Sequence, residues 1–360
     1  MKFLLIAGSA FATASLIFPN ASFGAGTATA TSAVAIAPAV AQSKSEFRVK
    51  CLCGEAAKKA LLDESLSPWF SLHGAEEVAA MTRVAVAPGA DAPAESRKRF
   101  AAASVDFSPE EIRALEAACA RVRRLAGPGA SVLTERPWKF LKTAAGTTAD
   151  LPHTRGDNII FSKRMLDVAV SYETALAGAK KENRTEMERF WMSAFGDILL
   201  HEQMHVLQRT RPEIFASLYA KWGFEKVAPV AIPSAATASL TNPDAPVHDR
   251  LWRDASGGRW VFAMRLRKTK RMPNMMRDMT VLAWPVKATD GVYAVSGESV
   301  PVSEVPGFSE KFGLPDHSCD HPNELAAYLT PAALAALRGE STPPEGNPAA
   351  ELAACLREAK

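Results

Sequence analysis

The sequence predicts an α+β protein in which helices and a small sheet pack around one core. Segments with apolar residues at spacings of three and four, which are typical of helices, alternate with short runs of bulky apolar residues, which are typical of strands. The chain of 360 residues is 48% hydrophobic and 22% charged, so it is long and apolar enough to bury one sizeable core. The alternation of the two element types supports the α+β class.

The first 24 residues are typical of an export signal. Lys2 precedes an uncharged apolar run over residues 3–18, and small residues follow it. Cleavage is therefore expected after Gly24, with a second small-residue site at residues 39–41. The alternative is an uncleaved membrane anchor, but many Ala, Ser, Thr and Gly residues make the run only weakly hydrophobic. We predict a periplasmic or secreted protein with no stable membrane span after signal cleavage.

Residues 25–104 are expected to form a low-complexity and irregular N-terminal segment. Residues 25–41 are almost entirely Ala, Thr, Val, Ser and Pro, which offer little bulky apolar surface, although one helix is expected over residues 55–64. The predicted main domain then covers residues 105–339. Residues 340–360 are expected to be a C-terminal tail.

Helix and strand signals follow one another through the main domain. Ser108 followed by Pro109, with acidic residues in the next positions, is typical of a helix start. Residues 227–254 are rich in Pro, Ala and Ser and predict a long connection that follows the surface or lies at the edge of a cleft. Helices are expected at about 109–125, 184–208 and 212–222, and strands at 138–141, 158–161, 260–266, 281–285 and 292–295.

The pentapeptide 201–205, His-Glu-Gln-Met-His, is the part of the chain that indicates a chemistry. On a helix, His201 and His205 lie on one face and can direct two imidazole nitrogens at one point, with Glu202 facing the same cleft. Two neutral imidazoles suit Zn²⁺, and a neighbouring carboxylate can accept a proton from water. With seven histidines and 39 acidic residues, a shuffled chain would contain about 0.015 such motifs, so chance is a poor explanation. We expect one zinc ion.

A catalytic zinc ion of this type needs a third protein ligand, for which there are two main candidates. Glu324 is favoured because Pro322 opens a helix and places this glutamate in its first turn, where the helix holds it rigidly. Glu225, just after the end of the helix expected at 212–222, is the alternative. Further possible ligands are Asp316, His317, Asp320 and His321.

The cysteine count is odd, so at least one of the five is unpaired. Export makes disulfides possible, and we predict one between Cys319 and Cys355. This bridge would fasten the tail to the region of the candidate site.

The pentapeptide 201–205, together with Asn323 and Glu324 on a second helix, resembles the gluzincin family of zinc metallopeptidases. The resemblance implies a zincin-like fold, with a small sheet beside the metal helix and a second helix that carries the third ligand. It also implies that the strand at residues 158–161 is the edge strand of the sheet and that an extended peptide substrate lies against it.

The resemblance further implies individual roles. His201, His205 and Glu324 would bind zinc, and Glu202 would be the general base that takes a proton from zinc-bound water. Tyr328 lies one helical turn beyond Glu324 and is a candidate donor to the oxyanion, followed by His317, His321 and Arg155, with ordinary packing as the alternative for Tyr328.

The loop before the strand at 158–161 is expected to contact the substrate. Its candidate substrate-binding residues are His153 and Arg155. The tripeptide Arg155-Gly156-Asp157 also resembles an adhesion motif, which is the alternative interpretation of this loop.

These features predict an exported zinc metallopeptidase that acts on a peptide or protein substrate. The alternative is an inactive zincin-like protein that binds peptides or surfaces, with or without metal. The formal net charge of +3 gives no electrostatic reason to expect nucleic acid or an anionic membrane as a partner. The sequence makes no prediction about the oligomeric state.

Overall fold

A computed structural model of the chain describes residues 49–233 and 237–359, which belong to one compact unit. The unit combines helices with two small sheets, consistent with the α+β class. The predicted export signal lies outside the described residues. None of the helices in the described ranges is long and apolar enough to cross a membrane.

The secondary structure alternates along the chain. The strands are β1 (Val49–Cys51), β2 (Trp138–Thr143), β3 (His153–Arg155), β4 (Asn158–Ser162), β5 (Phe224–Lys226), β6 (Thr237–Ser239), β7 (Arg250–Arg253), β8 (Arg259–Arg267), β9 (Met279–Thr289), β10 (Val292–Val295) and β11 (Val300–Pro301). The helices are α1 (Gly54–Leu62), α2 (Ala75–Thr82), α3 (Ala92–Ala103), α4 (Pro109–Ala126), α5 (Ser131–Thr134), α6 (Lys163–Ala177), α7 (Lys181–Trp191), α8 (Asp197–Thr210), α9 (Glu213–Trp222), α10 (Met275–Asp278), α11 (Phe308–Phe312), α12 (Pro322–Leu337) and α13 (Pro348–Glu358). The five predicted strands and the predicted start of α4 are confirmed.

The start of α4 shows why the sequence predicts it well. The Ser108 hydroxyl accepts the backbone N–H of Glu111 at 3.2 Å, and the Glu111 carboxylate accepts the backbone N–H of Ser108 at 2.7 Å. This reciprocal pair satisfies two of the donors that a helix start leaves unpaired.

The first sheet has the strand order β1-β2-β4-β3, in which β1, β2 and β4 are parallel and β3 is antiparallel to β4. Helix α8 packs against β3 and β4. Alternate residues of a strand share a face, so Phe140 of β2 and Phe161 of β4 stack at 5.7 Å, and Phe161 contacts Phe195 before α8 at 5.7 Å. This aromatic row fixes the sheet against the helix that carries the histidines.

The second sheet is antiparallel, with the order β10-β9-β8-β7-β5, and β6 and β11 pair with β8 and β9. Its buried face includes Leu251, Val261 and Trp284. Two of its short strands, β6 and β7, fall within residues 227–254, which the sequence predicted only as a connection.

The helix predicted at 184–208 is interrupted by a single π-helical turn, Met192–Gly196, between α7 and α8. At Gly196 an added Cβ would lie 2.5 Å from Met192 Sδ and 3.0 Å from Trp191 Cζ3. A side chain at this position would require the Met192 side chain to move and would lie tightly against the Trp191 ring. The helix predicted at about 184–208 is therefore present, with a π turn inside it that apolar spacing does not distinguish from an α turn.

The expectation of an irregular N-terminal segment is wrong for the part that is described. Residues 49–104 contain β1 and the helices α1 to α3, and β1 pairs with β2 of the first sheet. Trp69, Phe70 and Phe100 are fully buried in one hydrophobic cluster. These three large aromatic side chains supply the buried apolar surface. The segment is otherwise rich in Ala, Pro and Gly, so its overall composition did not predict this core. The boundary at residue 105 therefore divides one compact unit.

The C-terminal tail and its disulfide are also corrected. Residues 348–358 form α13, which packs on α12 and α9 through Leu352 and Leu356 of its buried face. Cys319 and Cys355 are both free thiols. Each contacts a different backbone carbonyl, that of Pro315 for Cys319 and that of Ile214 for Cys355.

Candidate metal centre

Two helices bring together three side chains that could bind a metal ion. His201 and His205 lie one turn apart on α8, with their Nε2 atoms 3.0 Å from each other. Helix α12 packs on α8 and contributes Glu324 from its first turn. The Glu324 carboxylate lies 3.4 Å from each histidine Nε2, through Oε2 to His201 and through Oε1 to His205. The donor atoms of all three residues lie within 4.8 Å of one another and could hold a metal ion.

The spacing of these donors fits a small cation. A tetrahedral zinc ion bound at about 2.0–2.2 Å separates its ligand atoms by about 3.3–3.6 Å. The separations of 3.0, 3.4 and 3.4 Å between His201, His205 and Glu324 lie within a few tenths of an ångström of that range. Two imidazoles and one carboxylate are also a ligand set that zinc accepts.

The electrostatics of the cluster favour a positive charge. Burial by itself lowers the pKa of His205, but the carboxylates of Glu324 and Asp244 outweigh it and raise the pKa to about 10. Burial opposes the charged form of Glu324 as well, yet the neighbouring His205 holds its pKa well below the usual range. The metal-free cluster therefore keeps a proton on His205, in a place where a bound cation would replace it.

Glu202 lies on the same helix and is 3% exposed. Burial, together with the nearby carboxylate of Asp244, raises its pKa well above the ordinary value. Its Oε2 atom has no hydrogen-bond donor within the described part of the chain. A buried carboxylate oxygen without a donor is costly, and it is common at functional sites.

Gln208 orients His205. Its Oε1 atom, which can only accept a hydrogen bond, lies 2.8 Å from His205 Nδ1, so that nitrogen carries a proton and Nε2 faces the cluster. Gln208 Nε2 donates to the Tyr219 hydroxyl at 3.0 Å and to the backbone carbonyl of Asn323 at 2.9 Å. Sequence reasoning missed Gln208, although its position three residues after His205 places it near that histidine on the helix.

Tyr328, the candidate oxyanion donor, lies beside His201. Its half-buried ring stands nearly perpendicular to the His201 ring, with 4.7 Å between centroids, and burial raises the pKa of its hydroxyl. The His317 ring lies 6.1 Å from Tyr328. The structure thus brings Tyr328 to the cluster and His317 close behind it.

The alternative third ligand is excluded from the cluster. Glu225 lies on β5, where its carboxylate contacts Arg253 at 3.0 Å, Arg259 at 3.2 Å and the Tyr293 hydroxyl at 2.9 Å. His321, another possible ligand, caps the start of α12 through Nδ1 and contributes no atom to the three-residue group.

The two candidate substrate-binding residues do not face the metal cluster. His153 and Arg155 are 2% and 1% exposed, and both pack against Trp69, with ring or guanidinium distances of 5.5 and 5.1 Å. Their side chains lie on one face of β3, and the side chain of the intervening Thr154 lies on the opposite face. The prediction of substrate contacts is wrong because the segment between α1 and α2, which contains Trp69, covers this face.

The expected peptide-binding edge is also corrected. Strand β4 lies between β2 and β3, so β3 is the edge strand. The outward N–H of Thr154 donates to Asp244 Oδ1 at 3.0 Å, and Arg209 of α8 donates to the carbonyl of Pro243 at 2.9 Å. Residues 241–245, which we call the covering loop, therefore occupy the edge of the sheet. Among them, Asn242 and Asp244 are buried polar residues, which the sequence predicted only as part of the connection over residues 227–254.

Comparisons of the chain with protein-family models, with curated proteins and with solved structures produced no match. The function is therefore inferred from the chemistry of the site residues.

Proposed function

We propose that this protein is an exported zinc metallopeptidase with a zincin-like arrangement of its site. The observation that carries the proposal is the buried group of His201, His205 and Glu324, beside a carboxylate, Glu202, that does not belong to it. Zinc held by these three side chains would act as a Lewis acid that polarises a peptide carbonyl and lowers the pKa of water to about 7.

In this proposal Glu202 moves the proton. Its Oε2 atom accepts a proton from the water that attacks the carbonyl carbon, and it passes that proton to the amine as the carbon–nitrogen bond breaks. Burial raises the pKa of Glu202, which makes its carboxylate a stronger acceptor for the proton of the water. Tyr328 donates a hydrogen bond to the oxyanion of the tetrahedral intermediate.

Solvent access favours an approach from the side of Tyr328. His201 and Glu324 have 10% and 9% of their side chains accessible, compared with 1% for His205, and Tyr328 and His317 beside His201 are half-buried. A peptide or protein substrate would enter on this side, while the covering loop occupies the edge of the first sheet. The proposed compartment is the periplasm or the exterior, on the basis of the first 24 residues.

One observation favours a second candidate function. The covering loop fills the sheet edge on which zincin-type enzymes are expected to lay a peptide, and the three candidate ligands are almost entirely buried. These features suit an inactive zincin-like protein that binds a peptide or a surface and keeps the metal for stability.

Metal analysis and one substitution distinguish the two functions. We expect the purified protein to hold about one zinc ion per chain and to cleave members of a peptide library. Glu202→Gln should keep the zinc and lose about 10²-fold to 10⁴-fold in rate. Zinc binding without hydrolysis in the unsubstituted protein would favour the binding function, and the absence of zinc would contradict both the cofactor and the mechanism.

A further inference from the structure

The side-chain amide of Asn242 lies between two buried carboxylates. Its Nδ2 atom donates to Glu324 Oε1 at 2.8 Å and to Asp320 Oδ2 at 2.9 Å. Asn242 is 6% exposed, so these hydrogen bonds are shielded from water. Glu324, the candidate ligand from α12, is thereby joined to a residue that is far away in sequence.

The orientation of this amide is fixed by its own turn. Asn242 Oδ1 accepts the backbone N–H of Asp244 at 2.8 Å, as asparagine often does when a turn begins. Because the oxygen is used in this way, both N–H bonds of Nδ2 face the carboxylates of Glu324 and Asp320. The amide therefore acts as a double donor.

The covering loop is anchored at both ends, so Asn242 is held in place. Before it, the carbonyl of Thr241 accepts the indole N–H of Trp69 at 3.0 Å, and the backbone N–H of Thr241 donates to Glu77. After it, the carbonyl of Asp244 accepts the side-chain N–H of Asn323 at 3.2 Å. Trp69, Glu77 of α2 and Asn323 of α12 together fix the position of the amide.

We propose that Asn242 is a positioning residue that holds the Glu324 carboxylate toward the two histidines. A glutamate side chain has several rotamers of similar energy, and a fixed donor on Oε1 selects the one in which Oε2 faces His201 at 3.4 Å. The inference rests on the proposed zinc site and adds a determinant of its affinity and geometry.

The test compares zinc binding by the full chain with and without the amide. Asn242→Ala removes both hydrogen bonds without changing the charge of the site. We expect zinc affinity, measured by competition with a chromophoric chelator, to fall about 10-fold to 100-fold. We also expect the visible absorption of the cobalt-substituted protein to change, because the ligand geometry around the ion changes.

Thr154→Val is the matched control. It removes the hydroxyl that contacts Asp244 of the same loop and Arg209, whereas the polar contacts of Glu324 are with Asn242, His201 and His205. It is also neutral and close in volume. We expect it to bind zinc as the unsubstituted protein does and to leave the cobalt spectrum unchanged.

Each outcome decides a specific point. Unchanged zinc affinity and an unchanged cobalt spectrum in Asn242→Ala would overturn the positioning role, as would an equal loss of affinity in Thr154→Val. If circular dichroism shows that Asn242→Ala does not fold, Asn242→Ser takes its place. That variant must show weakened zinc binding, and affinity equal to that of the unsubstituted protein overturns the proposal. Failure of the unsubstituted protein to bind zinc would instead defeat the proposed zinc site itself.

Discussion

Gln208 Oε1 accepts a hydrogen bond from His205 Nδ1 at 2.8 Å, which leaves Nε2 of this histidine directed at His201 and Glu324. The same amide donates to Tyr219 and to the backbone of Asn323, so it ties α8 to α9 and α12. Hydrogen bonds of this kind fix both the tautomer and the ring orientation of metal-binding histidines.

Gln208→Leu is expected to weaken zinc binding by about 10-fold to 100-fold, because His205 loses the acceptor that fixes its Nδ1 proton. Chelator competition on the purified variant measures the effect. Gln203→Leu is the matched control. Gln203 is a buried glutamine on the same helix whose amide donates to the backbone carbonyl of Leu133 at 3.2 Å, so its loss should leave zinc affinity unchanged. Equal zinc affinities in the two variants would contradict the role of Gln208.

Glu324→Ala is expected to abolish stoichiometric zinc binding, since it removes one of three ligands. Glu225→Ala should retain full zinc content, because Glu225 pairs with Arg253 and Arg259 on the second sheet. Metal content by mass spectrometry after dialysis compares the two. The reverse result, with zinc lost only in Glu225→Ala, would show that the arrangement of Glu324 beside the histidines is not the metal site.

Tyr328→Phe is expected to keep zinc and to lower kcat by about 10²-fold to 10³-fold, because the proposed hydrogen bond to the oxyanion forms only as the carbonyl is attacked. KM should change little, since the ring remains against His201. Steady-state kinetics on a cleaved peptide measures both constants. A variant with full kcat would assign Tyr328 to packing alone.

Zinc affinity is expected to rise with pH. The carboxylates around His205 raise its pKa to about 10, and zinc can bind only after Nε2 releases its proton. Between about pH 7 and 9 this proton should therefore make affinity increase by about tenfold per pH unit. Competition with a chelator of known pH dependence tests the slope, and a flat profile would contradict the raised pKa of His205.

The metal-free protein should respond to pH in the opposite sense. A histidine whose pKa is raised on folding stabilises the folded state fully below its ordinary value of 6.5, and this contribution is lost as the pH rises toward about 10. The melting temperature of the metal-free protein should therefore fall across this interval. His205→Ala should remove that part of the dependence, which scanning calorimetry on both proteins can measure.

The sequence predicts the core of the candidate site because helix geometry is local. The spacing of His201 and His205 places both rings on one face of any α-helix, whatever the rest of the chain does. Pro322 likewise marks the start of α12 and puts Glu324 in its first turn. The capping pair at Ser108 and the strands of bulky apolar residues are short-range features of the same kind.

Tertiary structure decides what depends on distant contacts. The choice between Glu324 and Glu225, and the hydrogen bond from Asn242 to Glu324 across 82 residues, follow from the packing of α8, α12 and the covering loop. No local pattern encodes these contacts. The face of β3 is a similar case, because a three-residue strand shows no periodicity that would place Arg155 inside.

The N-terminal region also combines a local preference with packing that depends on distant contacts. Its Ala-rich sequence by itself determined that α1 could form, as a local helical preference. Whether residues 49–104 pack at all depends on contacts of Trp69, Phe70 and Phe100 with one another and of Trp69 with the covering loop. The average composition of the segment does not show these contacts. Local spacing thus determined which residues could bind a metal ion together, because helix geometry depends only on neighbours in sequence. Burial against distant segments decided which of these residues face one another, because the free energy of packing depends on contacts in space.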